Sequence, residues 1–347
     1  MISSLARRLW TGTGISARVA RAALYPLETA YGAAISARRT LYDRGLLRSH
    51  ELSLPTVSIG NLTVGGTGKT PVAAWFVAQL RSRGARPAVV LRDYGGDEAL
   101  VHGALNRGTL VITDADRVTG VRRARDQGAD VAVLDDAFQH RRARRDADVV
   151  LVSADEWHGS RRLLPAGPWR EPLSALRRAT LVVVTRKATP IHLFEEVWVA
   201  VGARAPSVPR AAARLAPAAL VDAHSATDYP LSSLAGTDIV AIAGIAGPAA
   251  FRRQLEELGA RVRLHAFPDH YAYDVDDAVR LARKAAGTPM VVCTLKDAVK
   301  LAPVWPRGGP GLWYLSQQVI LERGRPEMER LIEALLEARA RHTRTVG

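Results

Sequence analysis

Thr56-Val57-Ser58-Ile59-Gly60-Asn61-Leu62-Thr63-Val64-Gly65-Gly66-Thr67-Gly68-Lys69-Thr70-Pro71 decides the fold. A short β-branched strand runs straight into a glycine-rich loop ending Gly-Lys-Thr, and an amphipathic run carrying Val72, Phe76, Val77 and Leu80 follows. Strand, loop and helix in that order make a phosphate cradle. Gly65, Gly66 and Gly68 let backbone N–H groups turn inward on a polyphosphate, and a helix opening at Lys69 presents its positive N-terminal end. Lys69 is spaced to reach the terminal phosphates and Thr70 to hold Mg²⁺ through its hydroxyl. The loop departs from the commonest pattern at Thr63, six residues before the lysine, where glycine is usual. The expectation is a nucleoside triphosphate bound by Thr63, Val64, Gly65, Gly66, Thr67, Gly68, Lys69 and Thr70.

Length and composition fit that use. A chain of 347 residues with 48% hydrophobic content can bury a full core and divide into two domains. The single cysteine, Cys293, excludes a disulfide framework and points to a reducing compartment. No apolar run approaches the roughly 18 to 20 residues that span a bilayer. Arg18 and Arg21 interrupt any signal-peptide core behind Arg7 and Arg8, so the expected location is cytoplasmic.

The formal charge is +14, and only five of the 48 basic residues are lysines. An aromatic content of 6% gives little support for base-stacking platforms, so no nucleic-acid partner is expected, nor is an obligate protein partner evident. An anionic membrane surface suits the charge better. Residues 1–48 hold eight arginines against Glu28 and Asp43, with Leu24, Leu27, Tyr31, Ala34 and Ile35 at helical spacing. Two readings stay open there: a basic amphipathic helix in the membrane interface, and an ordinary helix packed on the core.

Strand-like runs at 56–60, 87–91, 131–135, 148–152 and 180–184 alternate with helical patterns near 69–83 and 116–127. Continuous apolar strands between helices predict an α/β fold: a mostly parallel sheet covered by helices on both faces. A second set follows, with strands at 239–243, 262–266 and 290–293 and helices near 248–258, 276–286 and 326–341. The Pro- and Ala-rich stretch 203–236 separates the two sets. The expected organisation is a phosphate-loop domain over residues 1–220, including the basic N-terminal helix, and a smaller α/β domain over 221–347 that closes the active-site cleft.

Several polar groups fall where such a sheet binds ligands. Val131-Ala132-Val133-Leu134-Asp135-Asp136 is a hydrophobic strand ending in two carboxylates, as in enzymes that set an acidic residue beside the nucleotide's metal ion. Adjacent strand residues point to opposite faces, so one of Asp135 and Asp136 is expected to touch Mg²⁺ directly. Phe138-Gln139-His140 adds polar groups at the same edge. Gly95-Gly96-Asp97-Glu98 follows the strand ending at Leu91, and a carboxylate there can accept or orient a hydroxyl proton. Asp269-His270-Tyr271 offers an imidazole that titrates near neutrality. Thr294-Leu295-Lys296-Asp297 reads equally as a nucleotide-base contact and as a helix start.

Taken together, these runs resemble the tetraacyldisaccharide 4′-kinase family, and the resemblance covers nearly the whole chain. Its most specific pieces are Gly60 to Pro71, in which Thr63 is itself usual, and Asp135-Asp136-Ala137-Phe138-Gln139-His140. Leu164-Pro165-Ala166-Gly167-Pro168-Trp169-Arg170-Glu171-Pro172, Phe267-Pro268-Asp269-His270 and Lys296-Asp297-Ala298-Val299-Lys300 add to it. The resemblance implies ATP-dependent phosphorylation of the 4′-hydroxyl of a tetraacyldisaccharide 1-phosphate, a lipid A precursor. It places the work at the cytoplasmic face of the inner membrane by peripheral attachment. It also implies that Asp97 and His270 are a catalytic pair with Lys69 beside the phosphates, and that Thr70, Asp135 and Asp136 form the metal site.

The chain differs from the family pattern in places. Arg92-Asp93-Tyr94-Gly95 stands where Arg-Gly-Tyr-Gly is usual, and the segment before Gly96-Asp97-Glu98 is nearly absent, which makes Asp93 a rival for the role of Asp97. Ala137 replaces a glycine and Leu295 a glutamate. The alternative function is a GTPase-like nucleotide switch that binds partners at a membrane surface. Its base-reading Asn-Lys-x-Asp is present only as Thr294-Leu295-Lys296-Asp297.

Overall fold

The computed structural model describes residues 4–92, 96–157 and 161–346. In chain order the principal elements are α1 (Ser4–Thr11), α2 (Ile15–Ala23), α3 (Tyr25–Asp43), β1 (Thr56–Asn61), α4 (Lys69–Ser82), β2 (Pro87–Leu91), α5 (Asp97–Leu105), β3 (Leu110–Thr113), α6 (Arg117–Asp126), β4 (Val131–Asp135) and β5 (Ala147–Ser153). Then come β6 (Leu181–Arg186), α7 (Ile191–Arg204), β7 (Arg210–Asp222), β8 (Asp238–Ala243), α8 (Pro248–Glu257), β9 (Arg261–Ala266), α9 (Val275–Lys284), β10 (Met290–Cys293), α10 (Leu295–Leu301), β11 (Gly311–Arg323) and α11 (Arg325–Val346).

Two compact units form. Among the described residues the larger takes 4–92, 105–215 and 319–346, and the smaller takes 96–104 and 216–318. In the larger unit the strand order is β7-β6-β5-β1-β4-β2-β3, and each neighbouring pair is parallel. The strands read as unbroken apolar runs because helices cover both faces. Val57, Ile59, Val89, Leu91, Val131 and Val133 meet Val72, Phe76 and Leu80 of α4 and Met328, Ile332 and Leu335 of α11. Their neighbours Ala88, Val90, Ala132 and Leu134 meet Val121 and Ala124 of α6. Val150, Val152, Val182 and Val184 meet Phe194, Val197 and Val201 of α7. The parallel α/β expectation is met.

The smaller unit repeats the plan with β9-β8-β10-β11, all parallel. Val240, Ile242, Val291 and Cys293 pack on Ala278 and Leu281 of α9 and Ala298 and Leu301 of α10. Ile239, Ala241, Ala243 and Val292 pack on Phe251 and Leu255 of α8.

A single boundary near residue 220, expected from the sequence, does not describe this division. The chain crosses at 215/216 and returns at 318/319, and α5, with Asp97, belongs to the smaller unit. Helix α11 belongs to the larger one because Met328, Ile332 and Leu335 are buried in its core. Strand β7 was hidden in the sequence because Ala211, Ala212 and Ala213 carry no β-branched signal; they are buried regardless, which only tertiary packing decides.

The N-terminal segment forms three helices. Neither α2 nor α3 has a fully buried residue. One face of α3, with Leu24, Glu28, Tyr31 and Ile35, is half-buried, while Leu27 and Ala34 are exposed. It is fastened by polar contacts: Arg162 Nε to Glu28 at 2.8 Å, and the Tyr31 hydroxyl to the Arg170 carbonyl at 3.0 Å. Ile15, Val19, Tyr25, Leu27 and Leu46 remain among the exposed large apolar side chains. Helix α3 therefore docks on the unit through polar contacts and still shows apolar residues to solvent.

Candidate active site

The phosphate loop lies between β1 and α4 in the larger unit. It is anchored on one flank by residues 168–170: Val64 N–H donates to the Pro168 carbonyl at 2.8 Å and Arg170 N–H to the Leu62 carbonyl at 2.7 Å. Inside the loop, buried Thr67 takes a hydrogen bond from Asn61 Nδ2 at 2.9 Å on its hydroxyl and one from the Thr185 hydroxyl at 2.9 Å on its carbonyl. Gly68 sits at φ +90°, where a side chain would also run into Leu215, and hands the chain to α4 at Lys69. The helix starts where the sequence placed it.

The cradle already holds an anion. Gly66 N–H donates to Glu156 Oε1 at 2.8 Å, and the same carboxylate lies so close to Gly65 that a Cβ there would collide with it. Those oxygens occupy the kind of position a phosphate oxygen takes against inward-facing N–H groups. Sequence reasoning missed Glu156, which follows strand β5 with no motif of its own.

Asp135 closes β4 in register with Ile59 of β1, and Asp136 leaves the strand at φ +52°. Lys69 Nζ lies 3.7 Å from Asp136 Oδ1, and Arg170 donates one guanidinium nitrogen to both Asp136 oxygens at 3.0 and 3.1 Å. Burial pushes the Asp136 carboxyl up, but the charges of Lys69, Arg170 and Arg117 and the Arg170 hydrogen bond hold it below the usual carboxylate range. Asp136 is therefore an ionised oxygen donor beside the loop lysine. Arg170 was visible only as part of a matching run; nothing local tied it to a carboxylate 34 residues earlier. Gln139 Nε2 donates to the Asn61 carbonyl at 2.8 Å, which ties the segment after Asp136 to the end of β1.

The smaller unit brings together the other pair. Asp97 opens α5, and His270 sits in the loop after β9, at φ +60°. His270 Nδ1 is 2.7 Å from Asp97 Oδ2. The Asp97 side chain is 5% exposed and that of His270 33%, so the imidazole is the member that solvent reaches. The hydrogen bond to Asp97 raises the imidazole above its ordinary value, against burial and the charge of Lys296. Burial pushes the Asp97 carboxyl up, but the His270 hydrogen bond and the charges of His270, Lys296 and Lys300 outweigh it and hold the group low. Asp93 lies outside the described residues.

Thr294 turns out to be a helix start. Its hydroxyl accepts from Asp297 N–H at 3.3 Å, and Asp297 is fully buried, bonded to the Thr294 hydroxyl, Tyr273 hydroxyl and Gly244 N–H. With both oxygens engaged, Asp297 is not presented to a nucleotide base.

Comparison with known proteins identifies the family. The family model described as tetraacyldisaccharide-1-P 4′-kinase (LpxK) matches residues 20–104 and 95–337. The chain belongs to this family. It is 41% identical over 313 residues to the tetraacyldisaccharide 4′-kinase of Anaeromyxobacter dehalogenans (strain 2CP-C), covering 82% of each protein. It is 38% identical over 335 residues to that of Halorhodospira halophila, covering 89% of this chain and 91% of the relative. Among solved structures it is similar to LpxK from Aquifex aeolicus in complex with ATP, with a TM-score of 0.71, 28% identity, and coverage of 92% of this chain and 99% of that one. Family membership makes the chain a kinase of the lipid A pathway and sets the nucleotide-switch alternative aside.

Proposed function

We propose that the chain transfers the γ-phosphoryl group of ATP to the 4′-hydroxyl of a tetraacylated disaccharide 1-phosphate, with the phosphate loop serving the donor and the Asp97–His270 pair serving the acceptor. The observation that carries the division of labour is the 2.7 Å contact between His270 Nδ1 and Asp97 Oδ2. With Nδ1 engaged, Nε2 is the nitrogen left for substrate, and the exposure of the ring makes His270 the member that takes the hydroxyl proton. Buried Asp97 orients the ring and stabilises the imidazolium that forms. This is the logic of a base held by a carboxylate.

On the donor side, backbone N–H groups of residues 65–68 and Lys69 would neutralise the phosphates. The fit to Mg²⁺ rests on chemistry: Asp136 is held ionised, Thr70 is at the head of α4, and Mg²⁺ takes one or two protein oxygens and completes its shell with water and phosphate. No cluster of three His, Cys, Asp or Glu suited to a metal occurs among the described residues. When bound, the ion would neutralise charge between the terminal phosphates.

The acceptor is an acylated lipid, and peripheral attachment of the kinase to the anionic face of the inner membrane from the cytoplasm follows from that reading. Exposed Ile15, Val19, Tyr25 and Leu27 lie in a segment that also carries Arg18, Arg21, Arg38, Arg39, Arg44 and Arg48, a composition that suits an anionic membrane surface. No described helix is long and apolar enough to cross a membrane. The test is direct: purified protein, Mg²⁺-ATP and the disaccharide in detergent micelles, followed by mass spectrometry. One added phosphate per disaccharide is expected, and no product with an intact, folded enzyme would sink the assignment.

A further inference from the structure

Lys300, on the last turn of α10, is 14% exposed and reaches Asp97 and the backbone of the residue after His270. Its Nζ donates to the Tyr271 carbonyl at 2.8 Å and lies 3.8 Å from Asp97 Oδ2, beside the ring of Tyr273. The helix it rides on is fixed by Asp297, whose Oδ1 accepts from Gly244 N–H at 3.0 Å and the Tyr273 hydroxyl at 2.9 Å. The Gly244 carbonyl in turn accepts His270 N–H at 3.1 Å. Helix α10 thus holds the His270 loop directly at the Tyr271 carbonyl through Lys300 and indirectly, through Asp297 and Gly244, at the His270 N–H, one point on each side of the His270 Cα. That grip has strain to hold: His270 adopts φ +60°, a left-handed conformation that persists in a non-glycine residue only where its surroundings over-determine it.

We propose that Lys300 is a positioning residue for the Asp97–His270 pair, clamping the loop that carries His270 and sharing the Asp97 carboxylate with the imidazole. The inference rests on the reading in which that pair activates the acceptor hydroxyl. Its electrostatic consequence has a definite sign. A carboxylate raises the proton affinity of the imidazole it touches, and a cation on the same carboxylate offsets that gain. Among the described residues, the charged groups recorded around the pair include Asp97 from α5, Asp269 from the His270 loop at 3.9 Å from Nε2, Lys296 from α10, and Lys300 from α10 against Asp97. Neutral Tyr273 and buried Asp297 are hydrogen-bonded to each other beside Lys300. With Lys300 removed, the pair should hold its proton more tightly and release it only at higher pH.

The test uses the full chain with Lys300→Met and Lys300→Arg, with Lys300→Gln in reserve should the methionine variant fail to fold. His270 is followed by NMR in histidine-labelled protein, its signal assigned by loss in His270→Gln, while turnover is measured against pH. Lys300→Met should move the His270 titration and the acid limb of turnover upward together and cut turnover at neutral pH at least tenfold. The KM for ATP should be unchanged, and Lys300→Arg should restore the limb. An unshifted His270 titration in folded Lys300→Met overturns the proposal, as does a turnover loss explained by a lower melting temperature alone. Failure of the underlying reading looks different: His270→Gln would then keep full turnover whatever Lys300 does.

Discussion

His270 Nδ1 and Asp97 Oδ2 meet at 2.7 Å across 173 residues of sequence, and each sets the charge of the other. Asp97 is held below and His270 above its ordinary value, so the two form an ion pair over a bounded pH range. The Asp97 contribution to stability is present above the unfolded carboxylate value near ~3.9 and is lost as pH falls through the lower folded value. The His270 contribution is complete below the unfolded imidazole value near ~6.5 and is lost as pH rises through the higher folded value. The melting-temperature difference between wild type and His270→Gln should therefore be widest between the two unfolded values, near pH 5 to 6, and should narrow as pH rises through the raised folded value of His270. A difference that grows with alkalinity contradicts the ion pair.

Lys69→Ala should leave the fold intact, since Asp136 keeps its Arg170 partner, and should lower turnover by a hundredfold or more. Losing a preorganised charge contact to a transferring phosphoryl group costs about 3 to 4 kcal/mol. Circular dichroism alongside steady-state kinetics checks both halves, and a loss below threefold in folded protein refutes the role.

Glu156→Gln tests the carboxylate seated in the phosphate loop. ATP must displace it from the Gly66 N–H, and its charge opposes the incoming phosphates. Weakening that internal competitor should tighten ATP binding by about 1 kcal/mol, on the order of fivefold in Kd. Calorimetry with a non-hydrolysable ATP analogue measures it. Weaker binding would mean that Glu156 supports the loop instead of competing for it.

Deleting residues 1–22 removes Arg7, Arg8, Arg18 and Arg21 together with exposed Ile15 and Val19. Each arginine near an anionic surface contributes on the order of 1 kcal/mol, screened by salt. Co-sedimentation with phosphatidylglycerol vesicles at low salt should fall steeply while ATP affinity is retained. Unchanged co-sedimentation would assign the segment to packing alone.

Much of this molecule is legible in its sequence because parallel strands buried on both faces must be apolar throughout. The runs at 87–91 and 131–135 became strands at those residues, and Gly65 to Thr70 could only turn tightly into a helix. Hidden features depend on contacts distant in sequence. Arg170 matters because residues 168–170 are pinned beside the loop, and Glu156 because the end of β5 faces it. Helix α11 reads as the end of the second strand-and-helix set, yet its Met328 and Ile332 complete the first core. Helix α7 was masked by the strand-like Val197-Trp198-Val199-Ala200-Val201, which is helical because Phe194, Val197 and Val201 fall on one buried stripe.

The measurement that bears most directly on the division of labour compares Asp97→Asn, His270→Gln and the double variant, each assayed for phosphate at the 4′-oxygen by phosphorus–proton NMR and for ATP affinity by calorimetry. A pair that serves the acceptor predicts a loss of turnover of roughly a hundredfold or more in each single variant. It also predicts a double variant little worse than either single, because residues acting as a unit are not additive, and ATP affinity unchanged in all three. Near-normal phosphorylation by His270→Gln, or ATP affinity that falls in step with turnover, would contradict it.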